Sequence, residues 1–545
     1  MRRLDIDRMV LFLPAFLVAL FSVFPLTDTD IWWHLACARE WVNAWTPVRT
    51  PVVNVHEYFQ AVVAFVYGVG GAPLLVAFKA VLWGVVFALF LSNGSRGAVL
   101  EKNVIASPTG EPATSVAWWW QSLIAVFLLF VFRYHFEIRP VLFTLLFLGI
   151  YWKVLPGIFA VRHCESHGNT DLAFSGCVKR HCEPRRGAAI SRGCTVALIL
   201  AIQWLWCKCQ GLYILGPLFA LLVLLVCVWN SRRVGEKLST GSVAWRAAFV
   251  LGLFSMPFLH RDGLNLFLYP FGLLDRLLGL SPSAAVFASE IAENRSPVTL
   301  LVAGENTLES VLMIALCFLG FFVGLRRLLR PSPCIPPRAT EGSEAISRRL
   351  IQNIALLVTA ILALVAERNF VLFLPLLLGT ACELRFGGCA FGTARCSGVV
   401  KYACFIVIAF CLGLWARSLA AYDYSMVACQ RVPVDAAEWM RQNPHAGRLF
   451  NDDRAGGYLA FVNPADSIYM DGRFILKTAE FFGRYLEYAN NPSLFIADAD
   501  SLNIDRAIFP LRYYARWDAL LQALENAPRW HLAYRDNYFA VFDKF

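Results

Sequence analysis

At 545 residues, 58% of them hydrophobic and only 16% charged, the chain is too apolar for a water-soluble protein and reads as polytopic in a membrane. Its net charge of +10 is unevenly placed: residues 422–545 hold 13 Lys and Arg against 16 Asp and Glu, so the basic excess belongs to residues 1–421. That placement reads as membrane topology and excludes a nucleic-acid surface, which needs basic residues gathered on one folded face.

In chain order, a basic Met-Arg-Arg start leads into an apolar run without a small-residue cleavage pattern, which predicts an uncleaved first helix. Apolar stretches near 9–26, 72–92, 117–133, 140–155, 195–207, 211–229, 243–259, 306–325, 350–366, 369–384 and 401–421 predict about eleven transmembrane helices. Several fall short of the ~20 residues that cross a bilayer untilted. Such short spans are expected to end inside the bundle or at a water-filled recess. Loops 156–194 and 326–349 each carry six Lys or Arg, which assigns them and the N-terminus to the cytoplasm. An odd number of spans then leaves the C-terminal segment outside the plasma (inner) membrane, on the side of loop 27–71. His163, Cys164, His167, Cys177, His181 and Cys182 in loop 156–194 have some ligand-like spacing but no CxxC pair, and a solvated basic loop is preferred over zinc.

The long first outer loop predicts a helix over Ile31–Ala44 and a second over His56–Tyr67, ended by Gly68-Val69-Gly70-Gly71. Both are aromatic and partly polar, as expected of helices lying in the membrane interface. Residues 422–545 alternate helical and strand patterns. Helices are predicted over Val434–Gln442, Ala479–Ala489 and Trp517–Asn526, and strands over Arg448–Asn451, Ser467–Asp471, Arg506–Phe509, His531–Tyr534 and Tyr538–Phe542. The expected fold class is a polytopic α-helical membrane domain, 1–421, with a soluble extracytoplasmic α/β domain, 422–545.

The most informative stretch is Asp28-Thr29-Asp30-Ile31-Trp32-Trp33-His34-Leu35. Two carboxylates and an imidazole follow the first span beside two indoles that favour the headgroup layer. Charge at that depth is costly unless it faces a polar cavity. Helix capping accounts for one Asp but not for two and a His. Asp30 is the first candidate carboxylate and Asp28 the second. Glu57 is a third, with the alternative of a solvated residue in the first turn of a helix. His34, four residues after Asp30, shares a helix face with it or sits in the aromatic interface. Arg139, before Pro140, and Arg368 stand at outer ends of spans, where a guanidinium suits a phosphate and also snorkels. Lys208 is flanked by apolar residues, with Gly211 close behind. Asp471-Gly472-Arg473 ends a predicted strand, a common place for ligand contacts and for ordinary turns.

These residues in this order resemble polytopic GT-C-type glycosyltransferases and a large group of bacterial GT-C-like membrane proteins. The likeness runs through Asp28, Asp30, Trp32 or Trp33, His34 and Glu57 to Arg139-Pro140, Ser289-Glu290-Ile291 and Glu367-Arg368-Asn369-Phe370. It continues at Asn451-Asp452, Gly456-Gly457-Tyr458-Leu459 and Asp471-Gly472-Arg473, so it covers nearly the whole chain. It departs at Trp206-Cys207-Lys208-Cys209-Gln210-Gly211, where the group often has Asn and His at the places of Lys208 and Gln210. The resemblance implies transfer of a sugar from a polyprenyl-phosphate carrier in the bilayer to a glycan, lipid or protein acceptor outside. It assigns catalytic work to Asp30, Asp28 and Glu57, and substrate contacts to His34, Arg139, Lys208, Glu290, Arg368, Asp471 and Arg473. A carboxylate there deprotonates or orients the acceptor, or holds a divalent cation. No metal ligand is assigned. The alternative is a non-catalytic GT-C-like scaffold or envelope-assembly component.

Overall fold

The computed structural model describes residues 6–41, 44–49, 52–102, 123–159, 186–233, 240–282, 284–329, 339–381, 394–512 and 515–545. The Cys and His residues of loop 156–194 considered for zinc, 163 to 182, lie outside the described residues.

The chain starts with α1 (Ile6–Phe21), the short α2 (Asp30–Arg39) and the long α3 (Glu57–Lys102). Then come α4 (Leu123–His135), α5 (Pro140–Phe159), α6 (Arg186–Trp206), α7 (Leu215–Arg233) and α8 (Thr240–Ser255). Three helices follow between spans: α9 (Gly263–Leu278), α10 (Ala285–Glu290) and α11 (Pro297–Val302). The bundle closes with α12 (Thr307–Leu329), α13 (Ala339–Val365), α14 (Phe370–Ala381) and α15 (Ala394–Ala420). Each of the eleven apolar stretches coincides with one of these helices. Among the described residues, seven are long and apolar enough to cross a membrane, and Leu123–His135 and Gly193–Trp206 are shorter apolar helical segments. Helix α1 packs along α3, α3 on α5 and α14, and α13 on α7, α12 and α14. Between such helices the cohesion comes from close packing, since lipid tails are as apolar as the side chains they would replace.

The first outer loop differs from expectation in two places. Helix α2 stops at Arg39, well before Ala44, because Glu40 is extended (φ −151°, ψ 146°). The second predicted helix does not end at its glycines. It runs on into the span through a kink, where Gly71 takes φ 63°, a conformation open to Gly at no steric cost.

Beyond residue 421 a four-stranded sheet has the order β1-β2-β4-β3. Its strands are β1 (Arg448–Asn451), β2 (Ile504–Pro510), β3 (Trp530–Arg535) and β4 (Phe539–Lys544). Strands β1 and β2 are parallel and the other pairings antiparallel. The crossover from β1 to β2 carries α17 (Asp453–Val462), α18 (Ala479–Asn490) and α19 (Pro492–Ser501), while α16 (Val434–Gln442) precedes β1 and α20 (Asp518–Asn526) precedes β3. Phe450 on β1 is fully buried among Tyr469, Phe495, Phe509 and Trp517, with ring centroids 4.6–5.9 Å away. Burial of one such ring contributes about 2 kcal/mol.

Ser467–Asp471 is not a strand of this sheet. It lies extended against the first outer loop: Trp45 N donates to Ile468 O (3.1 Å), and Thr46 Oγ1 to Tyr469 O (2.5 Å). The Asn451 side chain bridges it to β1, with Nδ2 donating to Met470 O (2.6 Å) and Oδ1 accepting from Tyr469 N (2.8 Å). Further seams join Leu26 N to Met426 O (2.9 Å) and Arg49 N to Leu476 O (2.8 Å). The buried Lys477 ammonium donates to Thr46 Oγ1 (2.5 Å). The C-terminal segment is therefore zipped to residues 26–49. Helix α2, expected in the membrane interface, is buried from Ile31 to Ala36, with Trp32 edge-on to Tyr458 of α17 at 4.8 Å.

Candidate functional site

The site grows from the head of α2. Asp28 is buried, and its Oδ1 accepts from Asp30 N (3.2 Å), the short-range bond that Asp makes at helix starts. Arg139, placed by the turn before α5, forks onto the same carboxylate through Nε (2.9 Å) and Nη2 (3.1 Å). Its Nη1 reaches Glu293 Oε1 at 2.6 Å. Glu293 also meets Arg368 Nη2 (3.4 Å), and Arg368 Nη1 donates to Asn294 Oδ1 (2.8 Å). Burial alone would raise the Glu293 pKa, but Arg139 and then Arg368 outweigh it and hold it at about 2. A bidentate guanidinium–carboxylate pair of this kind is strong and geometrically specific.

Asp30 differs. Among the described residues it has no ion pair of its own. Burial, and then the neighbouring Asp28 charge, push its pKa up to about 7 against the opposing pull of Arg139. The tail closes over it. A Cβ on Gly472 would overlap the Asp30 carboxylate, and would lie 3.5 Å from the Trp33 indole nitrogen. On α17, a Cβ at Gly457 would meet Trp33 N at 3.1 Å. Glycine lets the tail come this close at both positions, most tightly at Gly472. Either side of Gly472, Arg473 forks back onto Asp471 (Nη2 to Oδ2, 2.6 Å), and its guanidinium stands over the rings of Trp41 (4.8 Å) and Trp33 (5.7 Å). Asp471 and Arg473 thus form a buried, self-neutralised clasp over α2.

Beneath Asp28 lies Glu137, which the sequence reading missed. It accepts from Thr27 Oγ1, its second oxygen is buried without a hydrogen bond, and Lys79 Nζ is 3.9 Å away. Burial raises the Glu137 pKa against the pull of Lys79.

His34 is buried between Trp33, His56 and Phe59. Burial, then His56 and Arg473, lower its pKa, so the ring is neutral at pH 7. His56 is likewise lowered by burial, to about 4, although its Nδ1 faces Cys209 O at 3.3 Å. This aromatic link leads to a second charged group. Lys208 Nζ meets Glu57 Oε2 (3.2 Å), Asp262 Oδ2 and Asn54 O (3.2 Å), which occupies all three of its donors. Glu57 is more than half exposed.

Of the sequence candidates, Asp28, Asp30, Arg139, Arg368, Asp471 and Arg473 come together. Glu57 and Lys208 form the neighbouring group, with His34 between. Glu290 is exposed at the end of α10, and Glu293 three residues on makes the pairs. The signal for Glu293 was present as Glu-Asn-Arg after Ser289-Glu290-Ile291, but spacing alone does not choose between two acids so close.

A third group was not foreseen. His135 Nε2 lies 3.4 Å from Glu309 Oε2 and 4.0 Å from Glu367 Oε1, and the three donor atoms fall within 4.8 Å of one another. One imidazole and two carboxylates suit a divalent cation of the manganese or zinc type. Glu367 is nine-tenths buried, and burial raises its pKa against the pull of His135.

No family profile matches the sequence, and no curated protein matches it. The structure neighbours are archaeal oligosaccharyltransferases of Archaeoglobus fulgidus; AglB is a GT-C-type glycosyltransferase. AglB in complex with an inhibitory peptide and a dolichol-phosphate is 12% identical over 94% of this chain and 71% of that one, with a TM-score of 0.46. The oligosaccharyltransferase in the apo form is 13% identical with the same coverage and score. The form tethered with an acceptor peptide containing the NVT sequon is 14% identical over 100% of this chain and 74% of that one, with a TM-score of 0.47. Similarity this low transfers no residue roles.

Proposed function

We propose that this chain is a GT-C-like membrane glycosyltransferase, with Asp30 as the acting carboxylate on a polyprenyl-phosphate-linked sugar. The observation that carries this reading is Asp30 itself. Among the described residues it is a carboxyl group without its own cation, poised near pH 7 and roofed by Gly472. A general base works best when its pKa lies near the operating pH. In the proposed step Asp30 takes the proton of the acceptor nucleophile as the new glycosidic bond forms and the bond to the carrier phosphate breaks. The charge growing on that phosphate faces the guanidinium donors of Arg139 and Arg368 that Asp28, Glu293 and Asn294 leave open. Asp28, already claimed by Arg139, orients the loop. Neutral His34 packs against its ring neighbours and positions α2.

His135, Glu309 and Glu367 would hold a divalent cation. Such an ion, when bound, supplies positive charge to phosphate oxygens.

The same reading includes eleven spans, a cytoplasmic N-terminus and a division at residue 421. It is supported by the gathering at one end of the bundle of Asp28, Glu57, Arg139, Lys208, Asp262, Glu293 and Arg368, with the tail beside them. These residues come from every segment expected outside.

One observation favours the scaffold reading. The Arg139–Asp28 pair ties loop 27–71 to the turn before α5, and the Asp471–Arg473 clasp, stacked over Trp33 and Trp41, ties it to the tail, both without a ligand. The test follows sugar loss from polyprenyl-phosphate donors in nanodiscs. Asp30→Asn is expected to fold and to lose turnover by a factor on the order of a hundred. Full transfer by Asp30→Asn overturns the assignment to Asp30. Absence of transfer by the unaltered protein, across donors and acceptors, selects the scaffold.

A further inference from the structure

Helix α9 has its faces reversed relative to a helix on a soluble surface. At about 100° per residue, Leu264, Leu268, Phe271, Leu274 and Leu278 fall on one side. All five are between 42% and 59% exposed. The opposite side is buried and carries the polar work. Arg276 donates to Phe474 O and Lys477 O, both at 2.9 Å, and Tyr269 packs at Gly211. One carboxylate, Asp275, falls on the exposed side, and it is turned into the helix end, accepting from Ser281 N (3.0 Å) and Ser281 Oγ (2.9 Å). Gly279, at φ 61°, closes that end in the left-handed conformation common there.

Helix α9 does not cross the membrane. Its two ends lie on one side. Asp262, at its start, pairs with Lys208 beside Glu57, and Glu293, beyond its end, pairs with Arg139 beside Asp28. The exposed stripe continues the lipid-facing surface of a span. Phe258, half exposed at the end of the span Thr240–Leu259, stacks on Phe267 of α9 at 5.0 Å, and Phe267 meets Phe271 at 6.0 Å.

We infer that α9 is a membrane-surface helix whose Leu264–Leu278 face is sunk among the acyl chains of the leaflet on the tail's side. Its other face holds the carbonyls of Phe474 and Lys477, directly after the loop that roofs Asp30. The partner is the bilayer itself. A large apolar face opposite a polar one is the pattern of helices that lie in an interface. The inference is independent of the chemistry proposed for Asp30.

The test places a photoreactive p-benzoylphenylalanine at single positions of the full chain, in nanodiscs of phosphatidylethanolamine and phosphatidylglycerol. Intact-mass measurement then reads lipid adducts. Phe405, on the exposed side of the span Tyr402–Ala420, is the positive control, and Leu532 on β3 the negative one. Leu268→p-benzoylphenylalanine and Phe271→p-benzoylphenylalanine are expected to give lipid adducts at a yield within about threefold of position 405, and at least tenfold above position 532. Leu264 replaces either position if that variant does not accumulate. Yields at the level of position 532 overturn the inference. So do adducts to a second copy of the chain, which would make the face a protein interface.

Discussion

Two charged groups stand at the same end of the bundle, and they differ in what is left over. Around Lys208, three donors meet Glu57, Asp262 and the Asn54 carbonyl, and both acids reach water. Around Asp28, the charges also pair, through Arg139, Glu293 and Arg368, but Asp30 is left beside them without a cation and beneath the tail. The difference teaches that counting charges does not find a reactive group. Both groups look alike as lists of residues. The second contains a carboxyl, Asp30, whose proton affinity the fold has moved toward neutrality, and such groups concentrate at functional sites.

The comparison breaks most severely at Arg139. Arg139→Met leaves Asp28 buried and uncompensated, which is expected to destabilise the protein by on the order of 3 kcal/mol. A thermal unfolding curve in detergent reads it. An unchanged midpoint would mean that Asp28 is solvated and that the cluster is not as tight as its distances.

Gly472→Ala is the next largest. The added methyl must displace the Asp30 carboxylate or lift the tail loop, at a cost of about 1–3 kcal/mol. Turnover should fall with it, while the neighbouring Asp471–Arg473 clasp keeps its residues. Equal stability and equal turnover would show that the tail does not close on Asp30.

Lys208→Met sharpens the contrast from the other side. Its partners Glu57 and Asp262 can turn to water, so the change should cost under about 1 kcal/mol and leave turnover within a few-fold. A loss as large as that at Arg139 would make Lys208 a substrate contact after all.

Much of this arrangement was legible in the sequence, and the residues show where legibility stops. Local patterns worked: Val434–Gln442 and Arg448–Asn451 match α16 and β1 to the residue, and every apolar stretch became a helix. Helix α9 carried its signal in Leu264, Leu268, Phe271 and Leu278 at helical spacing, but it sits between spans in what reads as a loop. Helix α17 was hidden by Gly456 and Gly457, poor helix formers that are present because Met470 O and Trp33 N approach them. Ser467–Asp471 has strand-like residues but spends its hydrogen bonds on Asn451 and on residues 45–46. Asp28, Asp30, Arg139 and Arg368 could be chosen as charges at the ends of spans. That Asp28 would take Arg139, leaving Asp30 alone, depends on contacts more than a hundred residues apart. The same is true of Glu293, Glu137 and the set formed by His135, Glu309 and Glu367, which no local pattern announces.

The measurement that tests the central claim most directly is the pH dependence of stability, for the unaltered protein against Asp30→Asn. A carboxyl whose pKa rises from 3.8 to about 7 on folding favours the fold while protonated. Its contribution is full below the unfolded pKa, is lost as pH rises from about 4 to about 7, and is flat above. Asp30→Asn cannot titrate. Relative to the unaltered protein, Asp30→Asn should therefore gain stability steadily from pH 4 to pH 7, and hold that gain at pH 8. Two curves that run parallel from pH 4 to pH 8 would mean that Asp30 is an ordinary solvated carboxylate, and the account of the site would fail.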